Sequence, residues 1–329
     1  MSNTTTESDE GLVCAYRFDG TGGGEVLPEW PSSGDAETGK VIWVHMERDD
    51  PGTREWLREK SGLRPLAQEA LLADDTRPRC TSLDEGVLLN LRGVNLNPGA
   101  EPEDMVSIRL WLEPHRIVSC RIRRLMAVED LQEAIQQSQG PHDTGGFVLM
   151  LADKLTTRIE PILDDLQDAL DHLEDRVVTD TAREQRTELA RLRHRTILLR
   201  RYIGPQREAL RRLAGEDVSW LTSRQRERLT EIADRVTRYV EDLDVIRERA
   251  TIINDELVNL LAERMERTMH LLSVVATVFL PLTLVSGMLG MNVGGIPGEK
   301  TEWAFTALCV GFGAVVAVEF WIVRRLKWI

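Results

Sequence analysis

Two long apolar segments near the C-terminal end constrain this chain more than any other feature. The first, residues 269–291, contains no Asp, Glu, Lys or Arg, and the second, residues 303–323, contains only Glu319. An α-helix rises about 1.5 Å per residue, so about 20 apolar residues cross a hydrocarbon core of about 30 Å. Each segment is long enough, and we therefore expect two membrane-spanning helices.

The connector between these segments, residues 292–302, is too short for a third span, so both chain ends are expected on one side of the membrane. Arg264 and Arg267 precede the first segment and residues 324–329 carry three basic side chains, whereas the connector has a single lysine. Basic residues are enriched on the cytoplasmic side of spanning helices. The sequence therefore predicts that both termini are cytoplasmic.

The rest of the chain has the composition of a polar, water-exposed body. Charged residues make up 29% of the 329 residues, and the net charge of -13 argues against nucleic acid as a partner. The first 11 residues are polar and acidic, which is not typical of a secretory signal. The four cysteines are far apart and predict neither a disulfide framework nor a thiolate zinc cluster. We found no phosphate-binding loop or nucleophile motif and expect a protein that is not an enzyme and has no cofactor.

Residues 1–140 are expected to form a compact α/β domain. Short β-branched runs bounded by Gly, Pro or Asp are typical of strands, and Gly- and Pro-rich stretches are typical of loops. The predicted strands are residues 12–18, 41–46, 87–91, 106–112 and 117–122, the predicted helices are residues 53–59, 66–72 and 128–139, and the predicted loops are residues 20–24 and 28–39.

From residue 147 onward the sequence predicts helices almost throughout. One helix is expected over residues 147–178 and a second over residues 181–214. Apolar side chains then keep helical spacing from Leu229 onward, so a third helix is expected over residues 224–290, with a break near Asn254 as the alternative. Such a helix would be on the order of 100 Å long. Its interleaved acidic and basic residues are expected to form ion pairs with neighbouring helices.

The predicted organisation has seven parts. They are an α/β domain at 1–140, a helical region at 141–222, the cytoplasmic part of a stalk helix at 223–268, a first spanning helix at 269–291, an external loop at 292–302, a second spanning helix at 303–323 and a basic tail at 324–329.

The sequence around the first span carries a specific resemblance. Residues 269–297 read MHLLSVVATVFLPLTLVSGMLGMNVGGIP, with Gly-Met-Asn at 290–292. This stretch resembles the pore helix and signature loop of the CorA superfamily of divalent-cation channels and transporters. The sequences TRPRC at 76–80, LRGVNLNPGAEPEDMVSIRLW at 91–111 and GGIPG at 294–298 resemble the ZntB-like zinc transport branch rather than the magnesium and cobalt branch.

The resemblance implies a fold and a function. It implies a funnel-shaped homopentamer in the bacterial inner membrane, with an α+β cytoplasmic domain, a long helical stalk and two C-terminal transmembrane helices. The transported species would be Zn²⁺ or another divalent cation. The alternatives are a Mg²⁺, Co²⁺ or Ni²⁺ channel of the CorA type and a membrane-tethered sensor or scaffold.

Residues of the first span that recur every three or four positions share one helix face. The resemblance places pore-lining residues on this face and places Gly290, Met291 and Asn292 at the outer mouth, where neutral oxygen atoms hold a hydrated divalent cation without trapping it. A lipid-facing or helix-packing stripe is the alternative. The predicted pore-lining residues are Met269, Leu272, Ala276, Leu280, Thr283 and Gly287.

Two further groups are candidates for function. Glu319 is an ionisable side chain inside a span, which suggests proton coupling, with pairing to a nearby arginine as the alternative. A second group lies on one face of the helix that follows Pro161, where carboxylates would bind or concentrate divalent cations unless they only solvate the helix. This group is Asp164, Asp168, Asp171, His172 and Asp175.

Overall fold

The computed structural model describes most of the chain and divides it into two compact units. These units are residues 1–254 and residues 255–329. The described residues are 11–32, 39–74, 77–83, 86–176, 182–290 and 302–325.

The first unit contains a mixed seven-stranded sheet with the strand order β2-β1-β3-β7-β6-β5-β4. Strands β3 and β7 pair in parallel, and every other neighbouring pair is antiparallel. The strands are β1 (Leu12–Phe18), β2 (Gly24–Val26), β3 (Ile42–Glu47), β4 (Arg79–Leu83), β5 (Gly86–Gly93), β6 (Val106–Glu113) and β7 (Arg116–Arg121).

The five predicted strands are confirmed within one or two residues at each end, whereas β2 and β4 were not predicted. Both are edge strands. Strand β2 has only three residues and begins at Gly24, which was expected in a loop. Strand β4 is the polar run RCTSL. Edge strands are often short and polar because one side has no neighbouring strand, so they lack the apolar signal of central strands. Residues 33–38 of the second predicted loop lie outside the described residues.

Eight helices occur in the described residues. Two of them begin at aspartate caps, because the side chain of Asp50 accepts a hydrogen bond from Gly52 N and that of Asp143 accepts one from Gly146 N. The helices are α1 (Pro51–Glu59), α2 (Pro65–Leu72), α3 (Met126–Gln136), α4 (Thr144–Thr157), α5 (Glu160–Arg176), α6 (Ala182–Gly215), α7 (Ser223–Leu289) and α8 (Ala304–Arg325).

Two helix predictions were wrong. The single helix expected over residues 147–178 is two helices, α4 and α5, separated at Arg158 and Ile159. Pro161 has no N–H and disfavours helix in the residue before it, so it lies in the first turn of a new helix. Helix α3 ends at Gln136 rather than at residue 139, since Ser138 adopts a positive φ of 57°.

One face of the sheet packs against α1 and α2. Val44, Met46 and Val118 of the strands form a core with Leu57 and Leu71 of the helices, and each is at most 1% exposed. This burial of apolar side chains is the main source of stability for the domain.

The side chain of Phe147, on α4, packs against residues of β1 and β3. Its ring lies 4.9 Å from that of Trp43 and 6.4 Å from that of Phe18, measured between ring centroids. Aromatic pairs at such distances add stability beyond the area that they bury. These contacts attach the start of the helical region to the sheet.

Helix α7 is continuous through Asn254, so the alternative of a break there was wrong. Between residues 229 and 253 its buried side chains repeat with alternating steps of three and four residues, which is the spacing of a coiled-coil core. The buried side chains on this spacing are Leu229, Ile232, Val236, Tyr239, Leu243, Ile246, Ala250 and Ile253, and Ala233 and Val240 beside them are buried as well.

The second unit contains the remainder of α7 and helix α8. Among the described residues, α7 alone is long and apolar enough to cross a membrane, and the apolar stretch of α8, Ala304–Glu319, is shorter. Most large apolar side chains of both helices are exposed, including Leu280 at 69% and Phe305 at 75%.

Candidate functional site

The six predicted pore-lining residues lie on the C-terminal part of α7, and all are exposed in the single chain. Met269 is 62% exposed, Leu272 59% and Leu280 69%. At 100° per residue, the six positions fall within an arc of about 80° on the helix surface. They form one continuous and mostly apolar stripe, which we call the α7 stripe.

The face of α7 opposite the stripe is the covered one. Val274 is 7% exposed, and Val278 and Leu282 are half-buried. Among the α8 residues whose burial is described, the partly covered ones share one face, and they are Ala304, Leu308, Phe312 and Glu319. Each helix of the second unit therefore has one covered face, and the α7 stripe lies on the uncovered side. An exposed apolar stripe of this length requires lipid or further protein to cover it.

The hydroxyl groups of this segment are bonded to their own helix. Thr283 Oγ1 donates to the carbonyl oxygen of Phe279 at 2.7 Å, and Thr277 Oγ1 donates to that of Ser273 at 2.8 Å. This local bond satisfies the hydroxyl proton, which has no water partner in a lipid environment. The oxygen of Thr283 keeps the capacity to accept a hydrogen bond from water on the stripe.

The end of the segment contains two glycines, Gly287 and Gly290. An added Cβ at Gly287 would meet nothing within 4 Å, so the stripe has no side chain at this level. Gly290 N donates to the carbonyl oxygen of Ser286 at 3.0 Å. Met291 and Asn292 lie outside the described residues, so their place at a pore mouth stays a prediction.

Glu319 lies on the covered face of α8. It is half-buried, and its Oε2 atom has no hydrogen-bond partner within the described part of the chain. The guanidinium of Arg325, six residues further on, lies over the ring of Trp321 at 5.1 Å. No ion pair between Glu319 and an arginine occurs in the described residues, so the alternative of pairing with a nearby arginine has no support in this part of the chain.

The acidic residues of α5 are separated rather than gathered. Asp171 accepts a hydrogen bond from Arg249 of α7 at 2.7 Å, and Asp164, Asp168 and Asp175 are exposed along one side of the helix, as is His172. Residues 11–32, 39–74, 77–83, 86–176, 182–290 and 302–325 contain no group of three or more His, Cys, Asp or Glu side chains that could hold a metal ion.

Ion pairs connect α7 to both α5 and α6, as the interleaved charges of the long helix predicted. Arg249 contacts Asp171 and Glu174 of α5, and Arg200 of α6 contacts Asp244 at 2.6 Å. Hydrogen bonding to these carboxylates raises the pKa of Arg249 and of Arg200. Sequence spacing predicted that such pairs exist, but their partners depend on how the helices pack.

The buried cysteines and histidine of the sheet belong to no group of three or more possible metal ligands in the described part of the chain. Burial raises the pKa of the Cys80 and Cys120 thiols to about 12, so neither supplies a thiolate at neutral pH. Burial lowers the pKa of His45 to about 3, and its Nδ1 lies 2.8 Å from Ser119 Oγ, which also accepts a hydrogen bond from Trp43 Nε1.

Comparison with known proteins agrees with this architecture. A family model described as "CorA-like Mg2+ transporter protein" matches residues 38–325. The chain is 38% identical over 334 residues to the divalent cation transporter CmaX of Pseudomonas aeruginosa, with 98% of each chain covered. It is 35% identical over 319 residues to the zinc transport protein ZntB of Pectobacterium atrosepticum, with 97% of this chain and 96% of that protein covered.

Two solved structures extend the match to the fold. The structure of the full-length CmaX protein has a TM-score of 0.81 and covers 98% of this chain and 100% of its own. The CorA magnesium transporter from Methanocaldococcus jannaschii has a TM-score of 0.82 over 96% of this chain and 98% of its own, and its 19% identity makes this a likeness of fold alone.

The fold and the apolar end of α7 together define a class of protein. In this class, a sheet domain is followed by a long helix whose end is apolar enough to cross a membrane. Within that class, the chain belongs to the CorA-like family of divalent cation transporters.

Proposed function

We propose that this chain transports divalent cations across the bacterial inner membrane and that Zn²⁺ is its preferred ion. The observation that carries the proposal is the exposed α7 stripe, since a folded chain keeps such a surface only for lipid or for other protein. The relatives named as divalent cation and zinc transporters support the same activity. The preference for Zn²⁺ rests on the ZntB relative.

The transporter would be a homopentamer in which the stripe lines a central path. One helix encloses no space, so an ion path needs several copies around an axis. Met269, Leu272 and Leu280 would then form apolar constrictions that close by losing water. Ala276 would leave a wider level between Leu272 and Leu280, Gly287 would leave another beyond Thr283, and the hydroxyl oxygen of Thr283 would accept hydrogen bonds from the water around the ion.

The outer mouth would be formed by Gly290, Met291 and Asn292. Rings of amide and carbonyl oxygens attract a hydrated divalent cation but bind it weakly enough to release it. Because the described residues hold no chelating group, we propose that the ion passes hydrated rather than bound by nitrogen or sulfur ligands. The acidic face of α5 would raise the local cation concentration on the cytoplasmic side.

The proposed topology has two spans with both termini in the cytoplasm. The spans are residues 269–291 and 303–323, and residues 292–302 form the external loop. The domain at 1–140, the helical region at 141–222, the stalk at 223–268 and the tail at 324–329 are then cytoplasmic. The basic residues that flank the spans support this orientation.

Glu319 is the proposed proton carrier for coupled transport. Its half-buried carboxyl group, with no ion pair in the described part of the chain, would bind a proton from one side and release it to the other. To test this, Zn²⁺ uptake by proteoliposomes is compared with and without an imposed pH gradient. Uptake that ignores the gradient contradicts the coupling and leaves the pore proposal intact.

The pore itself is tested by Asn292→Ala in proteoliposomes that contain a zinc-sensitive dye. We expect the rate of Zn²⁺ uptake to fall by on the order of tenfold or more, since the ring at the mouth loses its amide oxygens. The matched control is Asn259→Ala, an exposed asparagine of α7 outside the predicted span. If Asn292→Ala transports Zn²⁺ as fast as the parent, the assignment of Asn292 to the pore mouth is wrong, and if the parent transports no divalent cation, a tethered sensor explains the spans better. Faster Mg²⁺ than Zn²⁺ uptake by the parent would favour the magnesium alternative.

A further inference from the structure

Helices α5 and α6 carry opposite charge. Helix α5 has seven acidic side chains and one arginine, and α6 has ten arginines and three glutamates. In the described residues, no acidic side chain of α5 pairs with an arginine of α6, and the two helices meet instead through buried leucines such as Leu166 and Leu192. The one ion pair described between the two helices joins Arg176 of α5 to Glu188 of α6 at 3.6 Å, so the acidic side chains of α5 and the arginines of α6 do not hold the hairpin together.

The two helices lie on different flanks of α7 and at the same level along it. Arg249 of α7 pairs with Asp171 of α5, and Asp244 of α7 pairs with Arg200 of α6. Five residues of α7 separate these contacts, which corresponds to about 8 Å along the helix axis. A surface on α5 and a surface on α6 thus face outward on either side of the same stretch of α7.

On the acidic flank, Asp164, Asp168 and Asp175 are exposed on the side of α5 opposite its buried leucines. None of the three has an ion-pair partner in the described part of the chain. Partial burial and the neighbouring carboxylate of Glu241 raise the pKa of Asp242, and Asp164 adds to this shift. Negative charge on this flank is therefore not fully compensated within one chain.

On the basic flank, arginines recur every seven residues at positions 186, 193 and 200 of α6, which places them on one face. Arg193 and the nearby Arg201 form no ion pair in the described residues. Between them lies Ile197, which is 51% exposed. An exposed isoleucine among arginines is typical of a surface that contacts protein.

We propose that the acidic flank of α5 in one copy docks against the basic flank of α6 in the next copy around the ring. This interface rests on the homo-oligomer proposed above, which it deepens by naming the surfaces that join the cytoplasmic parts. A closed ring needs a heterologous contact, in which each copy presents two different and complementary surfaces. The opposite charges at one level of α7 meet that requirement without moving either copy along the axis.

Charge reversal tests the contact in the full chain solubilised in detergent. We expect Arg193→Glu with Arg201→Glu to lower the fraction of assembled protein at least tenfold, measured by native mass spectrometry, because two acidic flanks then meet. Asp168→Lys with Asp175→Lys should do the same. All four changes in one chain should restore assembly, since the charges are again opposite. Arg191→Glu, an exposed arginine on the other side of α6, should leave assembly unchanged.

The outcomes separate this interface from the proposed function. If the parent assembles and transports Zn²⁺ but the charge-reversed chains assemble equally well, the interface is wrong and the transporter stands. If the parent is a single copy, the ring itself is wrong. Loss of assembly that the fourfold variant does not restore, at an unchanged circular dichroism spectrum, also overturns the interface.

Cross-linking supplies a second measurement in case the reversed chains fold poorly. In a Cys309→Ser background, Asp168→Cys with Arg201→Cys should give a ladder of disulfide-linked copies under mild oxidation. Asp168→Cys with Arg191→Cys is the matched pair and should give no ladder. A ladder that is equally strong for both pairs, or absent from both, contradicts the docking of these flanks.

Discussion

Helix α7 is one continuous helix, yet its two halves treat apolar side chains in opposite ways. Between residues 229 and 253 most apolar side chains are buried, with Val245 and Ile252 as exposed exceptions, whereas between residues 269 and 288 most of them are exposed. The first half is covered by other parts of the same chain, and the second half requires covering by lipid or by other copies. Both halves are rich in apolar residues, so composition does not distinguish them. The burial of these side chains shows which half is covered within a single chain.

The difference in burial between the two halves of α7 is tested most strongly by truncating one leucine in each half. Leu243 is fully buried, and Leu243→Ala should lower the free energy of unfolding by about 2 to 5 kcal/mol, since it removes apolar contacts and leaves a cavity. Leu272 is 59% exposed, and Leu272→Ala should change it by less than about 0.5 kcal/mol. Urea unfolding of the detergent-solubilised protein measures both. Equal losses would mean that the two halves are not covered differently.

Much of the fold was predictable because its signals are local. The central strands and the long helix follow the periods of apolar residues, which depend only on the neighbouring sequence. The break between α4 and α5 was missed although Pro161 marks it, because apolar spacing continues across the break. Edge strands β2 and β4 were missed because their pairing depends on the strand beside them rather than on their own apolar residues.

Some features of the candidate site could likewise be predicted from the sequence, and others could not. Spacing shows that the six residues of the α7 stripe share one face and the resemblance implies that this face matters, but only the structure shows that the face around Val274 is the covered one. The pairing of Arg249 with Asp171 and Glu174 could not be predicted, since it depends on which flank of α7 receives α5. The contrast between an acidic α5 and an arginine-rich α6 was readable in the sequence and was missed. Its signal was the seven-residue spacing of the arginines.

Acid should destabilise the first unit more than the second, because the first unit contains a buried neutral histidine. Burial depresses the pKa of His45 from 6.5 to about 3, so between these values the unfolded chain binds a proton that the folded chain does not. Stability is therefore fully present above pH 6.5 and falls as the pH decreases. The loss is about 1.4 kcal/mol per pH unit, or about 2 kcal/mol between pH 6.5 and 5.

The variant His45→Asn removes this titration and should have a flatter dependence of stability on pH. Hydrogen exchange measured by peptide mass spectrometry locates the effect. In the parent chain, exchange in peptides from β3 and β7 should accelerate between pH 6.5 and 5 beyond the intrinsic pH dependence, and exchange in peptides from α8 should not. The same acceleration in His45→Asn would assign the acid sensitivity to another group.

The smallest expected free-energy change is a lowered barrier to cation leak, caused by a substitution on the exposed half of α7. Leu280→Ser places a hydroxyl group on the α7 stripe, where water would enter the proposed apolar constriction. We expect passive divalent-cation leak through proteoliposomes to rise by on the order of tenfold, which corresponds to a barrier lowered by about 1.4 kcal/mol. Leu271→Ser is the control, because Leu271 is 59% exposed but lies off the stripe. An equal rise in leak for both variants would place the ion path elsewhere, since the change would then reflect a general disturbance of the span rather than hydration of one face.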